Sequence, residues 1–167
     1  YPISGFIKTI VIENDEKNEE MFYEKIKDYK QLSTNDLLSA IRERGLVGQG
    51  GATFPTHIKL NPPKNVKLDT LLINAAECEP YLNSDNRTMI EFGEEIISGV
   101  KIAAHVLGVK KSIIAIENNK KAAIKTISEL VKDSDDIEIA VLKTKYPQGG
   151  EKQLIKAVLN RTVPSKK

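Results

Sequence analysis

The sequence predicts an α/β fold built on a mostly parallel sheet with helices on its faces. Three short apolar segments, at 70–74, 111–116 and 137–142, have the length and composition of buried strands. Amphipathic segments with helical spacing separate them. Strands that alternate with helices pair in parallel through right-handed crossovers. We therefore expect the three strands to end at the same edge of one sheet.

A helix and a glycine-rich loop are predicted before the first strand. Ser33 and Thr34 are typical N-cap residues for a helix near 35–43, and Gly45 suits its left-handed C-terminal end. Pro55 favours the first position of a second, short helix after the loop. The loop is therefore expected to be held between two helices.

Three further helices are predicted after the first strand, at 84–107, near 119–132 and at 151–159. The first is expected to be one long amphipathic helix that ends at Gly108. Its apolar face comprises Met89, Phe92, Ile96, Val100, Ala103 and Leu107. The face of the second comprises Ala123, Ile127, Leu130 and Val131.

The N-terminal part of the chain is expected to be separate from this fold. Residues 1–13 contain Phe6, Ile7 and the run 10–12 without helical spacing, which indicates a strand that runs into a charged connector. The segment 21–30 is compatible with a short helix or a linker. We expect a domain boundary near 14–34, with a first unit at 1–30 and an α/β domain at 31–167.

Composition excludes several classes of function. The 167 residues are 40% hydrophobic, enough for one domain, and 25 Lys+Arg against 23 Asp+Glu leave too little net charge to indicate a nucleic-acid partner. The single cysteine forms no intrachain disulfide and cannot alone hold an iron–sulfur cluster, and it fits a reducing, cytosolic compartment. His57 and His105 lack ligand-spaced partners, so no metal site is predicted.

No apolar run has the roughly 18–20 residues of a membrane-spanning helix, so any membrane association is expected to come through partners. The chain begins on a strand-like segment and stops without a closing element. It therefore looks like a fragment of a longer protein.

The glycine-rich loop is the first segment that can carry chemistry. Gly48, Gly50 and Gly51 lack side chains, so their backbone N–H groups can approach a flat ring or an anion closely. The pattern is neither the GxGxxG fingerprint nor a Walker A loop. The alternative interpretation is a tight turn between two helices. Similarly, Lys59 can pair with an anionic cofactor or simply be solvated at a helix end.

The second segment follows the first predicted strand. Asn74 can offer a donor and an acceptor to a heterocycle edge, and Glu77 and Glu79 can accept from ribose hydroxyls or a carboxamide. Ligands of open α/β sheets bind beyond the carboxyl ends of strands. The alternative is a polar turn closed by Pro80. Cys78 lies between two glutamates, which raise a thiol pKa, so a nucleophilic role is disfavoured.

The third segment follows the last predicted strand and opens a helix. Gly149 and Gly150 permit close backbone approach, and Tyr146 can stack or form a hydrogen bond. Glu151 stands at the helix start, where the helix dipole alone also favours a carboxylate.

Together, the runs 45–60, 74–80 and 146–154 resemble three ordered motifs shared by the RnfC family of Rnf electron-transport complexes and the flavoprotein subunit of respiratory complex I. The wording of 76–81 and 146–152 is closer to the Rnf branch. The resemblance implies a Rossmann-like domain, with residues 1–13 as the tail of an N-terminal barrel-like region. It also implies that the family's ubiquitin-like part and its two 4Fe–4S clusters lie outside this chain.

The resemblance implies FMN contacts from all three runs: Gly48, Gly50, Gly51, Lys59, Asn74, Glu77 and Gly149. Tyr146 and Gly150 complete the expected cofactor-binding set. Phe54 is expected to stack on the adenine of NADH, and Glu79 and Glu151 to hold the nicotinamide nucleotide at the catalytic centre.

Two positions depart from the family pattern. Ala76 stands where the complex I branch has an acidic residue, which removes one polar contact, and Thr53 stands where a glycine is usual in the loop. The family segment that helps to hold the FMN phosphate lies beyond residue 167. Retention of FMN by this chain alone is therefore left open.

The function implied is hydride transfer from NADH to FMN, followed by passage of electrons through the clusters and membrane partners to ferredoxin, coupled to ion translocation. The expected location is cytoplasmic, peripheral to the inner face of the cell membrane. Two alternatives stay open: a non-catalytic scaffold that docks an electron-transfer partner, and a related subunit of an amino-acid or cobalamin reductase system.

Overall fold

The computed structural model describes residues 10–17, 19–20, 22–49, 52–77 and 79–165. The predictions made for Phe6, Ile7, Gly50, Gly51 and Cys78 lie outside these residues.

Six α-helices and three strands occur in the described part of the chain. They are α1 (Thr34–Glu43), α2 (Thr56–Lys59), β1 (Thr70–Ala75), α3 (Ser84–Glu91), α4 (Gly93–Leu107), β2 (Lys111–Glu117), α5 (Lys121–Val131), β3 (Ile137–Leu142) and α6 (Glu151–Leu159). A 3-10 helix at Tyr29–Gln31 precedes α1.

The three strands form one parallel sheet in the order β1-β2-β3. Thr70 pairs with Lys111 at one end of the β1–β2 ladder, and Ala75 pairs with Ile116 at the other. The predicted α/β class is therefore confirmed. Because the strands are parallel, the segments that follow all three meet at the carboxyl edge of the sheet.

Alternate residues of the central strand β2 face two different cores. Ile114 and Ile116 pack with side chains of α3, α4 and α5, whereas Ala115 packs with Leu154 of α6. All three β2 residues are at most 1% exposed. A strand buried on both faces is expected in a parallel sheet covered by helices on both sides.

The prediction of one long helix at 84–107 is wrong, because the chain breaks between α3 and α4 at Phe92 (φ −127°, ψ 34°). Phe92 was placed on the apolar face but is 52% exposed. The next residue, Gly93, is buried, and a Cβ there would lie 2.7 Å from Leu130 Cδ1. The missing side chain lets the start of α4 approach α5 closely, and a continuous helix is interrupted there.

The first helix matches its prediction closely. Ser33 Oγ accepts a hydrogen bond from the Asp36 amide, and Gly45 beyond the other end has the left-handed φ of +65°. Pro55 is the N-cap residue of α2, one position earlier than predicted. Small shifts of this kind are usual at helix ends.

The segment before α1 is a linker that contacts the helix. Residues 10–13, the described part of the strand predicted at 1–13, show no strand and are exposed. Of the two possibilities kept for 21–30, the described residues favour the linker. Tyr23 Oη donates to the carbonyl of Glu43 (2.8 Å), and Arg44 Nη2 donates to that of Glu24 (2.9 Å).

Candidate functional site

A hydrogen bond joins the segments that follow β1 and β3. Asn74 Nδ2 donates to the carbonyl oxygen of Gly149 at 2.8 Å, and Asn74 Oδ1 accepts from the Ala76 amide at 3.2 Å. Asn118, after β2, accepts from the amide and hydroxyl of Thr144. The carboxyl edge of the sheet is thus held by side-chain amides that bridge neighbouring segments.

A cleft of about 1330 Å³ runs along the outer side of β1, between that strand and the helices α1, α2, α4 and α6. Three predicted site residues line it: Lys59 from α2, Asn74 from β1 and Glu151 from α6. Much of the remaining lining is aliphatic, as in Leu60, Leu72 and Ile102. The cleft can therefore bury an apolar ring while offering a cation, an amide and a carboxylate.

The glycine-rich loop is closed at its base by backbone hydrogen bonds. The Gly48 amide donates to the Phe54 carbonyl at 2.9 Å, and the Thr56 amide to that of Leu46 at 3.0 Å. Thr53 has φ of +48°, a left-handed conformation that β-branched residues rarely adopt. Phe54 is about half exposed (51%), so its ring is open to stacking.

Glu77 is buried at the junction of β1, α3 and the segment before α5. Its Oε1 accepts from the Asp85 amide at 2.8 Å and from Ser84 Oγ at 3.4 Å. Its Oε2 lies 2.7 Å from Lys120 Nζ, and these two side chains are 2% and 12% exposed. The carboxylate therefore satisfies the start of α3 and forms a buried ion pair.

Electrostatics at this junction follow from that geometry. Burial acts to raise the pKa of Glu77, but the hydrogen bonds from Lys120 and the Asp85 amide outweigh it and hold the pKa below its usual range. The pKa of Asp85 is raised, first by desolvation and then by the charges of Glu77 and Glu79. The effect of Glu79 on Asp85 indicates that its carboxylate lies near the start of α3.

The other predicted site residues lie on the surface of the same edge. Tyr146 is 79% exposed, and Glu79 is also exposed. Gly150 precedes α6, and a Cβ there would lie 3.1 Å from the Pro147 carbonyl oxygen. A glycine is therefore suited to the tight turn that leads into α6.

Three polar residues at this edge were not identified from the sequence. Lys120 neutralises Glu77, and nothing in its sequence context marks it. Glu117 ends β2 and is 2% exposed, and Gln148 lies between β3 and α6 and is 3% exposed. A charged residue that directly follows the apolar run at 113–116 is a signal that could have drawn attention to Glu117.

Within the described ranges, no group of three or more His, Cys, Asp or Glu side chains is arranged to hold a metal ion. No helix in those ranges is long and apolar enough to cross a bilayer.

Comparison with protein families gives a match at residues 41–167 to the model described as the Nuo51 FMN-binding domain. The RnfC-type subunit of a proton-translocating ferredoxin:NAD(+) oxidoreductase complex from Clostridium ljungdahlii is 45% identical over 170 residues, covering 99% of this chain and 36% of that protein. Its counterpart in a Na(+)-translocating ferredoxin:NAD(+) oxidoreductase complex from Acetobacterium woodii is 41% identical, covering 95% and 36%. The chain thus spans about a third of the length of these relatives.

Among solved structures, an NAD+-reducing [NiFe]-hydrogenase in its H2-reduced state resembles this chain with a TM-score of 0.59 and 26% identity, over 77% of this chain and 24% of that one. The resemblance to the Rnf branch and to the complex I flavoprotein subunit, inferred from the three motifs, is confirmed by these matches.

Proposed function

Because this chain belongs to the family of the Nuo51 FMN-binding domain, we propose that residues 31–167 form a domain that binds FMN and NADH. The proposal covers an electron-transfer role, as part of an RnfC-type subunit that oxidises NADH in a membrane-bound, ion-translocating complex.

The observation that carries the proposal is the Asn74 to Gly149 hydrogen bond, which brings the second and third motifs together. It places them beside a cleft that Lys59 and Glu151 also line. Two buried side-chain oxygens at the same edge, Glu117 Oε1 and Gln148 Oε1, have no hydrogen-bond partner within the described residues. A cation, an apolar cleft and free acceptors fit a cofactor that has a phosphate, a flat ring and hydroxyl groups.

The residues assigned to FMN are Gly48, Gly50, Gly51, Lys59, Asn74, Glu77, Tyr146, Gly149 and Gly150. In this assignment Lys59 compensates the phosphate charge, and the glycines allow backbone N–H groups to approach the cofactor. An ionised carboxylate offers about four acceptor sites. Ser84, Asp85 and Lys120 already use three of those of Glu77, so its contact with FMN rests on the remaining one.

The residues assigned to NADH are Phe54, Glu79 and Glu151. The exposed ring of Phe54 suits stacking on adenine. The carboxylates of Glu79 and Glu151 accept hydrogen bonds from the nucleotide and orient it, without transferring protons. When bound, FMN supplies the hydride-accepting chemistry, and the protein supplies binding and orientation.

The proposed partners are the other subunits of the complex, with ferredoxin reached indirectly. We place the 4Fe–4S clusters in other parts of the same polypeptide. The proposed location is the cytoplasmic face of the cell membrane, with attachment through the partner subunits.

The test of this function is the colour of the full-length protein that contains this chain. We expect it to be yellow as purified, or after addition of FMN, and to lose its flavin absorbance when NADH is added under anaerobic conditions. A protein that stays colourless with FMN present and does not react with NADH would contradict the proposal and favour a non-catalytic scaffold.

Replacing Glu79 or Glu151 by Gln is expected to weaken NADH binding about tenfold or more, because each variant loses a charge-assisted hydrogen bond. FMN affinity should stay within about twofold of the wild type, a difference well below one such bond. The measurement is an NADH titration of the FMN-loaded full-length protein. Glu95→Gln is the matched control, because Glu95 also lies in the first turn of a helix. Unchanged NADH affinity in both variants would exclude these roles.

A further inference from the structure

We propose that Glu117, with Gln148, binds the hydroxyl groups of the ribityl chain of FMN. This inference rests on the proposed function and adds a binding residue from the central strand, which none of the three sequence motifs contains.

The first step is the position of Glu117 in the sheet. It is the last residue of β2 and pairs with Leu142 of β3. Along the β1–β2 register, the pair after Ala75 and Ile116 is Ala76 and Glu117. Both strand neighbours of Glu117 therefore have apolar side chains that donate no hydrogen bond.

The second step is burial without a partner. Glu117 is 2% exposed, and its Oε1 accepts no hydrogen bond within the described part of the protein. An unpaired buried carboxylate is costly, so such a group in a folded protein indicates a ligand, an ion or a bound water. Glu117 lies on the same face of β2 as Ala115, which is the face covered by α6.

The third step is a second free acceptor in the turn that leads to α6. Gln148 is 3% exposed, and its Oε1 also lacks a donor among the described residues. Its neighbour Gly149 accepts the Asn74 side chain that joins the two motifs. The turn that contains Gln148 is thereby attached to the end of β1.

The chemistry of the two groups identifies the ligand group. An ionised carboxylate and an amide oxygen accept hydrogen bonds only, so the ligand must supply several donors. The flavin ring has a single ring N–H, whereas the ribityl chain has three hydroxyl groups. The polyol chain therefore fits two separate acceptors better than the ring does.

The experiment compares Glu117→Gln with wild type in the full-length protein, by titration of FMN and by thermal unfolding without FMN. We expect FMN affinity to fall about tenfold to a hundredfold, because a hydrogen bond to a charged acceptor is lost. The flavin absorption spectrum of the bound state should stay unchanged, because the ring is not contacted. Without FMN, the variant should unfold at the same or a higher temperature, because an unpaired buried charge is removed.

Gln148→Met, which keeps a similar volume without the acceptor, is expected to weaken FMN binding about twofold to tenfold. Glu138→Gln is the control: it removes a carboxylate from the same sheet that is exposed and paired with Lys111. It should leave FMN affinity unchanged.

Each other outcome has a distinct meaning. If the wild type binds FMN and Glu117→Gln binds it equally well, the inference is overturned while the proposed function stands. A weakened affinity with a shifted flavin spectrum overturns the ribityl assignment in favour of the ring. A large fall in the unfolding temperature without FMN shows a structural role instead. If the wild type binds no FMN, the proposed function and this inference fail together.

Discussion

Replacing Glu77 by alanine is expected to lower the free energy of unfolding by about 3–5 kcal/mol, the usual cost of removing one partner of a buried ion pair. The variant leaves the Lys120 ammonium, only 12% exposed, without its counter-ion. It also removes the acceptor for the Asp85 amide at the start of α3. The measurement is equilibrium unfolding by urea, followed by circular dichroism.

Glu138→Ala is the matched control for this prediction. The Lys111–Glu138 pair has a similar distance, 2.9 Å against 2.7 Å, but its side chains are 47% and 61% exposed. Exposed pairs contribute about 0–1 kcal/mol, so the control should lose less than about 1 kcal/mol. Equal losses in the two variants would show that the burial of Glu77 has no energetic consequence.

The contribution of Glu77 also has a defined pH dependence. Its pKa is lower in the folded state than in the unfolded state, so the folded protein gains stability where the unfolded chain is also ionised. That stability is complete above the ordinary glutamate pKa of about 4.3 and is lost as the pH falls through the lowered value. Wild type and Glu77→Gln should therefore converge in stability below about pH 4. A difference that stays constant down to pH 3 would argue against this assignment.

Replacing Ile127 by alanine is expected to cost about 2–5 kcal/mol, the range for large-to-small changes in a well-packed core. Ile127 is 0% exposed and belongs to the core on the α3, α4 and α5 side of the sheet. Because the proposed FMN contacts lie along the carboxyl edge and in the cleft beside β1, the folded variant should bind FMN as tightly as the wild type. Urea unfolding and an FMN titration check the two parts separately.

Leu130→Ala is the control in the same helix. Sequence periodicity places Ile127 and Leu130 on one face, but Leu130 is 37% exposed. Its truncation also relieves the close approach of Gly93, so we expect a loss of about 1 kcal/mol or less. A loss as large as that of Ile127→Ala would show that burial does not distinguish these two positions.

The parts of this fold that were predictable are those set by local patterns. The strand at 137–142 and the helix at 151–159 have the predicted bounds, because short apolar runs and helical spacing define them directly. Ser33 and Gly45 identify the ends of α1 because caps depend on a few neighbouring residues. The break before Gly93 was missed because its cause, the approach of α5, lies more than thirty positions along the chain.

The candidate site shows the same division. Sequence motifs indicated Asn74, Gly149 and Glu151, but not that the side chain of the first binds the backbone of the second. Nor did they indicate that Lys120 would neutralise Glu77 across 43 positions. Such partners are set by the parallel order of the strands, and a single sequence contains no local signal for them.

The Asn74–Gly149 hydrogen bond has a consequence for folding. Its partners are 75 positions apart, so it can form only after all three strands have paired, and the edge is completed last. A ligand that binds only the completed edge stabilises the whole domain by mass action, by about 2.7 kcal/mol at a hundredfold excess over its Kd. On the proposed function, FMN would therefore offset much of the loss in variants such as Ile127→Ala and would act as a folding ligand as well as a redox group.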